Sequence, residues 1–400
     1  MNIQKELAAL AEAGLLRRPA SADSCCGPEM ILDGRPLLAF ASNDYLGLAA
    51  DPRLIEATIA AARRWGVGAG ASHFLGGHFR PHHELEEQLA AFVGAERALL
   101  FSTGYMANLG VVPALTGRGD VIFADKLNHA SLIDAVRLSP AFSHRYAHLD
   151  IAVLEGQLTA NRAKHRLILT DAVFSMDGDI APLPELLVLA ERYDAWLVVD
   201  DAHGFGVLGP AGRGTLAHYG LKPTGRLLVM GTLGKAAGVA GAFVAGDNLV
   251  IEWLTQKART AIFTTAAPPL LAAALLTSLQ LIEAGDERRA HLQSLIVRLR
   301  SGLAPLCAST GWRLLPSTTP IQPLVIGANH ASVALAEALK QRGIWVPAIR
   351  PPTVPDGQAR LRISLSAAHT EAQVDQLIAA LAAIAHTIPA PPPPLPEEGG

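Results

Sequence analysis

A single lysine, Lys235, stands among glycines where an apolar run ends, in LLVMGTLGKAAG (227–238). A lysine in a desolvated pocket has a lowered pKa and becomes an amine nucleophile toward carbonyls. The glycines at 231, 234, 238 and 241 would let backbone approach a ligand closely. The alternative is a lysine that buries its stem at a strand end and reaches for water. A nucleotide phosphate loop is excluded, because Val229 stands where its first glycine belongs and Ala236 replaces its Ser/Thr.

A second apolar run, AWLVVDDAHG (195–204), ends in Asp200 and is followed by His203. Open α/β sheets place ligands at such strand ends. Lysine, carboxylate and imidazole together suit pyridoxal phosphate as cofactor. Asp200 would keep its pyridine nitrogen protonated, and His203 would donate to its phenolic oxygen. FSTGYMAN (101–108) is a strand-to-helix turn. Ser102, Thr103 and Gly104 there offer a helix N-terminus to a phosphate or an ordinary helix cap. Tyr105 and His129 are the flat side chains that could stack on a ring.

The elements that must position these residues are legible as alternating runs. Strand-like RALLFSTG (97–104), DVIFAD (120–125), HRLILTDAVFS (165–175), AWLVVDDAHG (195–204) and RLLVMGTLGK (226–235) interleave with helix-like segments. Continuous apolar strands between helices imply parallel pairing with both faces covered. The expected organisation is an N-terminal helix and arm (1–45), a large α/β domain (46–282), a smaller α+β domain (283–387) and a disordered proline-rich tail (388–400). Half of the 400 residues are hydrophobic, enough for a large core, and the net charge of −3 excludes a basic nucleic-acid footprint. The three cysteines, Cys25, Cys26 and Cys307, fit a reducing, cytoplasmic setting. No membrane span is expected, and no metal site.

Several stretches carry a family resemblance: SNDYLGL (42–48), GYMAN (104–108), DKLNHASLID (125–134), VFSMDGDIAPL (173–183), VDDAHGFGVLG (199–209), GTLGKAAG (231–238) and LRISLSAAHT (361–370). Together they resemble the α-oxoamine synthases. These are pyridoxal-phosphate enzymes of the aspartate-aminotransferase fold (fold type I) that join an amino acid to an acyl thioester with loss of carbon dioxide. The resemblance implies an α/β fold with a large, mostly parallel sheet, and catalysis by Lys235, His129, Asp200 and His203. Lys235 would carry the cofactor's aldehyde and His129 would stack on its ring. Gly104, Tyr105, Ser175 and Thr232 would complete the cofactor site. Arg362 would clamp the amino acid's carboxylate with help from Asn43. Arg17 and Thr353 would touch the acyl substrate. The resemblance also implies a homodimer in which Thr264 or Thr265 reaches the partner's phosphate. The implied substrates are L-alanine and pimeloyl-CoA, or a pimeloyl carrier protein, in biotin biosynthesis. A sibling using glycine and a short acyl-CoA is the nearest alternative, and a non-catalytic binding or regulatory protein on the same fold the more distant one. The stretch GVGAGASHFLGGHFRPHHELEEQLA (66–90) keeps the family's glycines but departs from its pattern at His78, Phe79 and Arg80-Pro81.

Overall fold

The computed structural model describes residues 1–12, 16 and 19–385. Arg17 and the tail expected at 388–400 lie outside the described residues. Near the N-terminus, Glu29–Leu32 (β1) and Arg35–Ala39 (β2) form an antiparallel hairpin.

The dominant element is a seven-stranded sheet. Its strands in chain order are Arg97–Phe101 (β3), Val121–Asp125 (β4), Phe142–Tyr146 (β5), Arg166–Asp171 (β6), Ala195–Asp200 (β7), Leu227–Thr232 (β8) and Ala242–Gly246 (β9). The spatial order is β3-β9-β8-β7-β6-β4-β5. Strands β4 to β8 pair in parallel, as continuous apolar runs between helices require.

The sheet is mostly parallel, as expected, with one exception next to the β3 edge. Strand β9 runs antiparallel to both β8 and β3. Only residues 233–241 link β8 to β9, and a parallel crossover needs about a dozen residues or more.

Alternation along each strand feeds two apolar layers. Leu228 and Met230 of β8 pack with Val111, Val198 and Val244 on one face. Leu227 and Val229 pack with Phe243, Leu197 and Phe205 on the other. Every residue of β8 is buried, so the turn that follows starts from a rigid edge.

The C-terminal part adds a four-stranded sheet. It contains Arg313–Leu314 (β10), Ile321–Gly327 (β11), Ala348–Ile349 (β13) and Ala359–Ser364 (β14), in the order β10-β11-β14-β13. Ile344–Trp345 (β12) instead pairs in parallel with β2, so the N-terminal hairpin shares its sheet with the C-terminal part. Among the described residues no helix is long and apolar enough to cross a membrane.

Candidate active site

Three parallel strands end in carboxylates at the same edge: β4 in Asp125, β6 in Asp171 and β7 in Asp200. Strands β6 and β7 pair so that Asp171 and Asp200 stand side by side, both buried. Burial and the neighbouring Asp200 push the Asp171 carboxyl well above the usual carboxylate range.

Lys235 lies in the turn three residues beyond β8, not on the strand itself. Burial, aided by Arg362, lowers its amine from the ordinary lysine range to about 8, against the opposing pull of Asp200 and Asp171. Its Nζ donates to Nε2 of His203 at 2.9 Å. The Nδ1 of His203 meets the Tyr45 hydroxyl at 2.7 Å, and that hydroxyl donates to Asn43 Oδ1 at 3.0 Å. The hydroxyl therefore accepts from His203 Nδ1–H, which leaves Nε2 as the acceptor for Lys235. Burial and the charges of Lys235 and Arg362 hold the His203 imidazole well below its ordinary pKa, so it is neutral.

The chain continues outward. Both Nη atoms of Arg362 donate to Asn43 Oδ1 at 3.2 Å. Arg362 Nε donates to the Ser175 carbonyl at 2.6 Å, and Nη1 to Ser364 Oγ at 2.7 Å. Strand β14 presents Arg362, and the SNDYLGL segment presents Asn43 and Tyr45. One polar chain thus runs Arg362–Asn43–Tyr45–His203–Lys235 through residues distant in sequence.

A second chain fixes Asp200. Asn108 Nδ2 donates to Asp200 Oδ2 at 2.7 Å and to Ser131 Oγ at 2.9 Å. The Ala202 N–H donates to the other carboxylate oxygen at 3.0 Å. Ser131 Oγ stands 2.8 Å from His129 Nδ1. His129 is also the N-cap of helix Ala130–Leu138, and its main-chain N–H donates to Asp171 at 2.6 Å. Burial, reinforced by Lys235 and opposed by Asp200, lowers the His129 pKa.

The structure brings Lys235, His203, Asn43 and Arg362 into one network, and His129 and Asp200 into the other. Thr103 is the N-cap of helix Gly104–Leu115, its hydroxyl accepting from Met106 N–H at 3.1 Å, so the cap reading holds there. A side chain on Gly104 would come within 3.5 Å of Met230 and 3.8 Å of Thr232, which sets that helix start over the end of β8. Tyr105 is exposed, with its hydroxyl on Asp134. Ser175 is half-buried beside Arg362. Thr353 sits in an exposed turn lining a cavity of about 600 Å³ with Leu10, Leu16 and Arg350. Thr264 and Thr265 lie near the surface between helices Arg259–Ile262 and Pro269–Glu283.

One expectation needs correction. Gly231 and Gly238 do not make room for a ligand: an added Cβ would strike Phe243 at 2.4 Å and the 48–49 backbone at 2.7 Å, so both serve packing. Of the four glycines around Lys235, Gly234 has the most room, the nearest atoms lying 3.9 Å from an added Cβ. Asn108, Tyr45 and Asp171 escaped the sequence reading. The one available signal was that apolar runs FAD, LTD and VVD all end in aspartate.

Comparison with known proteins agrees with this geometry. The family Aminotransferase class I and II matches residues 35–381. An 8-amino-7-oxononanoate synthase from Herminiimonas arsenicoxydans is 65% identical over 386 residues, which is 96% of this chain and 98% of the relative. The chain belongs to the class I and II aminotransferases and, within them, to the 8-amino-7-oxononanoate synthase family. Among solved structures, serine palmitoyltransferase from S. paucimobilis, with bound PLP–myriocin, superposes with a TM-score of 0.89 at 31% identity, covering 96% of this chain and 97% of that one. An 8-amino-7-oxononanoate synthase from Francisella tularensis gives 0.76 at 31% identity over 88% of this chain and 98% of that one. The family carries the fold expected from the motifs: an α/β, aspartate-aminotransferase-like transferase.

Proposed function

We propose that this chain condenses L-alanine with a pimeloyl thioester, on CoA or a carrier protein, releasing carbon dioxide and the free thiol, using pyridoxal phosphate as cofactor. The product would be the 8-amino-7-oxononanoate of biotin biosynthesis. The observation that carries this reading is a half-buried amine, tuned to about 8, joined to Arg362 by one hydrogen-bonded chain and flanked by Asp200.

The residues present fit the cofactor. Lys235 offers a half-buried amine, Asp200 a fixed carboxylate, and Gly104 a helix start without a side chain in the way. Asn108 Oδ1 is buried without a partner, so the site holds polar capacity beyond its own internal bonds. When bound, pyridoxal phosphate supplies an electron sink for the charge that develops at the amino acid's Cα.

Lys235 would bind the cofactor's aldehyde carbon and, once released, take and return the Cα proton. An amine near pH 8 is partly neutral at physiological pH, as a base for that step must be. His203 accepts from Nζ, steering the amine's lone pair. Asp200, oriented by Asn108 and Ala202, would face the pyridine nitrogen. His129 would cover the ring face, and Tyr105 and Ser175 would border it, with Thr232 near the phosphate. Arg362 would take the alanine carboxylate through the same Nη edge that now holds Asn43, a bidentate task suited to arginine. Thr353 and Arg17 would meet the acyl substrate. In the condensation the thioester C–S bond breaks as a C–C bond forms at Cα, and the carboxyl then leaves as carbon dioxide.

The chain would work as a cytoplasmic homodimer. Phe74, Leu75 and Phe263 are exposed on neighbouring segments, a surface suited to a second copy. Thr264 and Thr265 adjoin that surface and would reach the partner's phosphate.

The test is thiol release by the purified holoenzyme in two arms, L-alanine with pimeloyl-CoA and glycine with acetyl-CoA. Release confined to the first arm is expected. Release confined to the second would assign the chain to the glycine-using reaction and overturn the proposal.

A further inference from the structure

Three histidines near the short turn His73–Leu75 and the start of helix Arg80–Val93 form a constellation that the reaction does not use. The rings of His73, His78 and His82 make a triangle with centre-to-centre separations of 5.1, 5.2 and 5.7 Å. One nitrogen from each ring lies within 4.8 Å of the other two. His73 Nδ1 and His78 Nδ1 face each other at 2.8 Å.

These separations have a geometric meaning. Zinc binds imidazole nitrogen at about 2.0–2.1 Å, which puts each ring centre roughly 3.2 Å from the ion. Three rings arranged tetrahedrally around one ion then stand about 5.2 Å apart.

The far sides of the rings are organised as well. His82 Nε2 donates to the Ala267 carbonyl at 2.8 Å, which fixes the proton there and leaves the lone pair on Nδ1. His78 turns Nε2 toward Glu86 Oε2 at 4.0 Å. Metal-binding imidazoles characteristically have their second nitrogen held by a carbonyl or a carboxylate, as His82 does; at 4.0 Å Glu86 is too far to hydrogen-bond His78. Binding at His82 Nδ1 would displace one hydrogen bond, from the half-buried Phe79 N–H at 3.0 Å.

We propose that His73, His78 and His82 bind a borderline-soft divalent cation of the zinc class through their Nδ1 atoms, with water as fourth ligand. In the single chain His82 is buried, His73 half-buried and His78 exposed, which leaves one side of the cluster open to an ion and a water. Burial, with mutual repulsion at His73 and His78, holds all three imidazoles below their ordinary pKa, His73 at about 4. They are therefore neutral, as ligation requires. The ion would tie the turn to the helix and, through Ala267, to the loop bearing Thr264 and Thr265. The role is structural.

A neighbouring set, His78, His83 and Glu86, competes for the same ion. In it His83 is engaged with Glu87 at 3.2 Å, and Glu86 accepts from the Leu100 N–H at 3.0 Å. The test therefore uses both histidines. Full-length holoenzyme is dialysed against a chelator and titrated with Co²⁺, followed by its visible ligand-field absorption, and then with Zn²⁺ by calorimetry. One tetrahedral Co²⁺ per chain is expected, displaced by Zn²⁺. His78→Gln, at an exposed position, should weaken binding about tenfold or more, and His83→Gln less than about twofold. Retention of the bound cofactor's absorbance reports that each variant is folded. Absence of saturable binding, unchanged affinity in His78→Gln, or equal weakening by His83→Gln would each overturn the three-histidine assignment.

Discussion

Asn108 makes the strongest demand on the site's geometry. Its Nδ2 lies 2.7 Å from Asp200 Oδ2, and both side chains are buried. A hydrogen bond to a charged group contributes about 1.5–3 kcal/mol, and a buried acceptor left unpaired loses it in full. Asp200 retains the Ala202 N–H in the Asn108→Ala variant, so it stays in place but loses half of its protein donors. If that bond orients the carboxylate toward the cofactor nitrogen, the loss converts to roughly a 10- to 150-fold fall in rate. The assay is Cα-proton exchange of L-alanine in deuterated buffer by the holoenzyme without acyl substrate, which isolates the step that needs Asp200. Ser131→Ala is the comparison: it removes the next link, Asn108 to Ser131 Oγ at 2.9 Å, together with the 2.8 Å contact to His129 Nδ1, and leaves the Asp200 bond intact. It should cost much less. Exchange in Asn108→Ala within twofold of wild type would refute this reasoning.

Other outcomes follow from the same geometry. The uptake rate of pyridoxal phosphate by cofactor-free chain should rise with pH through a midpoint near 8, where half of the Lys235 amine is neutral; a rate still climbing above pH 10 would mean an ordinary amine. Arg362→Lys keeps the charge but loses the fork to Asn43 and the Ser175 contact, so KM for L-alanine should rise about tenfold or more with a smaller change in kcat; an unchanged KM removes Arg362 from substrate binding. His148 sits between Asp125 at 3.0 Å and Asp179 at 2.8 Å. Burial opposes its charge, but the two carboxylates outweigh it and lift its pKa to about 10. The resulting stabilisation is fully present below the unfolded value of 6.5 and fades as pH rises through about 10. Urea unfolding at pH 7 should therefore show His148→Gln destabilised by about 3 kcal/mol, with the gap narrowing above pH 10; a gap constant with pH would contradict the ion-triplet assignment.

What the sequence reveals here is what repeats or alternates locally. Apolar runs ending at Asp125, Asp200 and Thr232 are readable because both faces of the parallel strands are buried. The short β9 passes unread, since nothing in AFVAG marks direction and only the brevity of the 233–241 link makes it antiparallel. Phe142–Tyr146, an edge strand exposed over most of its length, lacks the apolar signature altogether. In the site, Lys235 and Asp200 announce themselves by type and company. Tyr45 and Asn108 do not, because their tasks exist only once segments 158 and 92 positions away are folded against them. The glycines misled for a related reason: whether a glycine admits a ligand or a neighbouring Phe243 ring is decided by tertiary packing.

The central claim is that Lys235 is the amine that binds the cofactor's aldehyde. The most direct measurement is borohydride reduction of the holoenzyme, followed by proteolysis and mass mapping of the trapped adduct. The account predicts a single modified peptide carrying Lys235, and no adduct in Lys235→Ala purified with pyridoxal phosphate. An adduct on another lysine in the wild type, or one that persists in Lys235→Ala at wild-type stoichiometry, would contradict it.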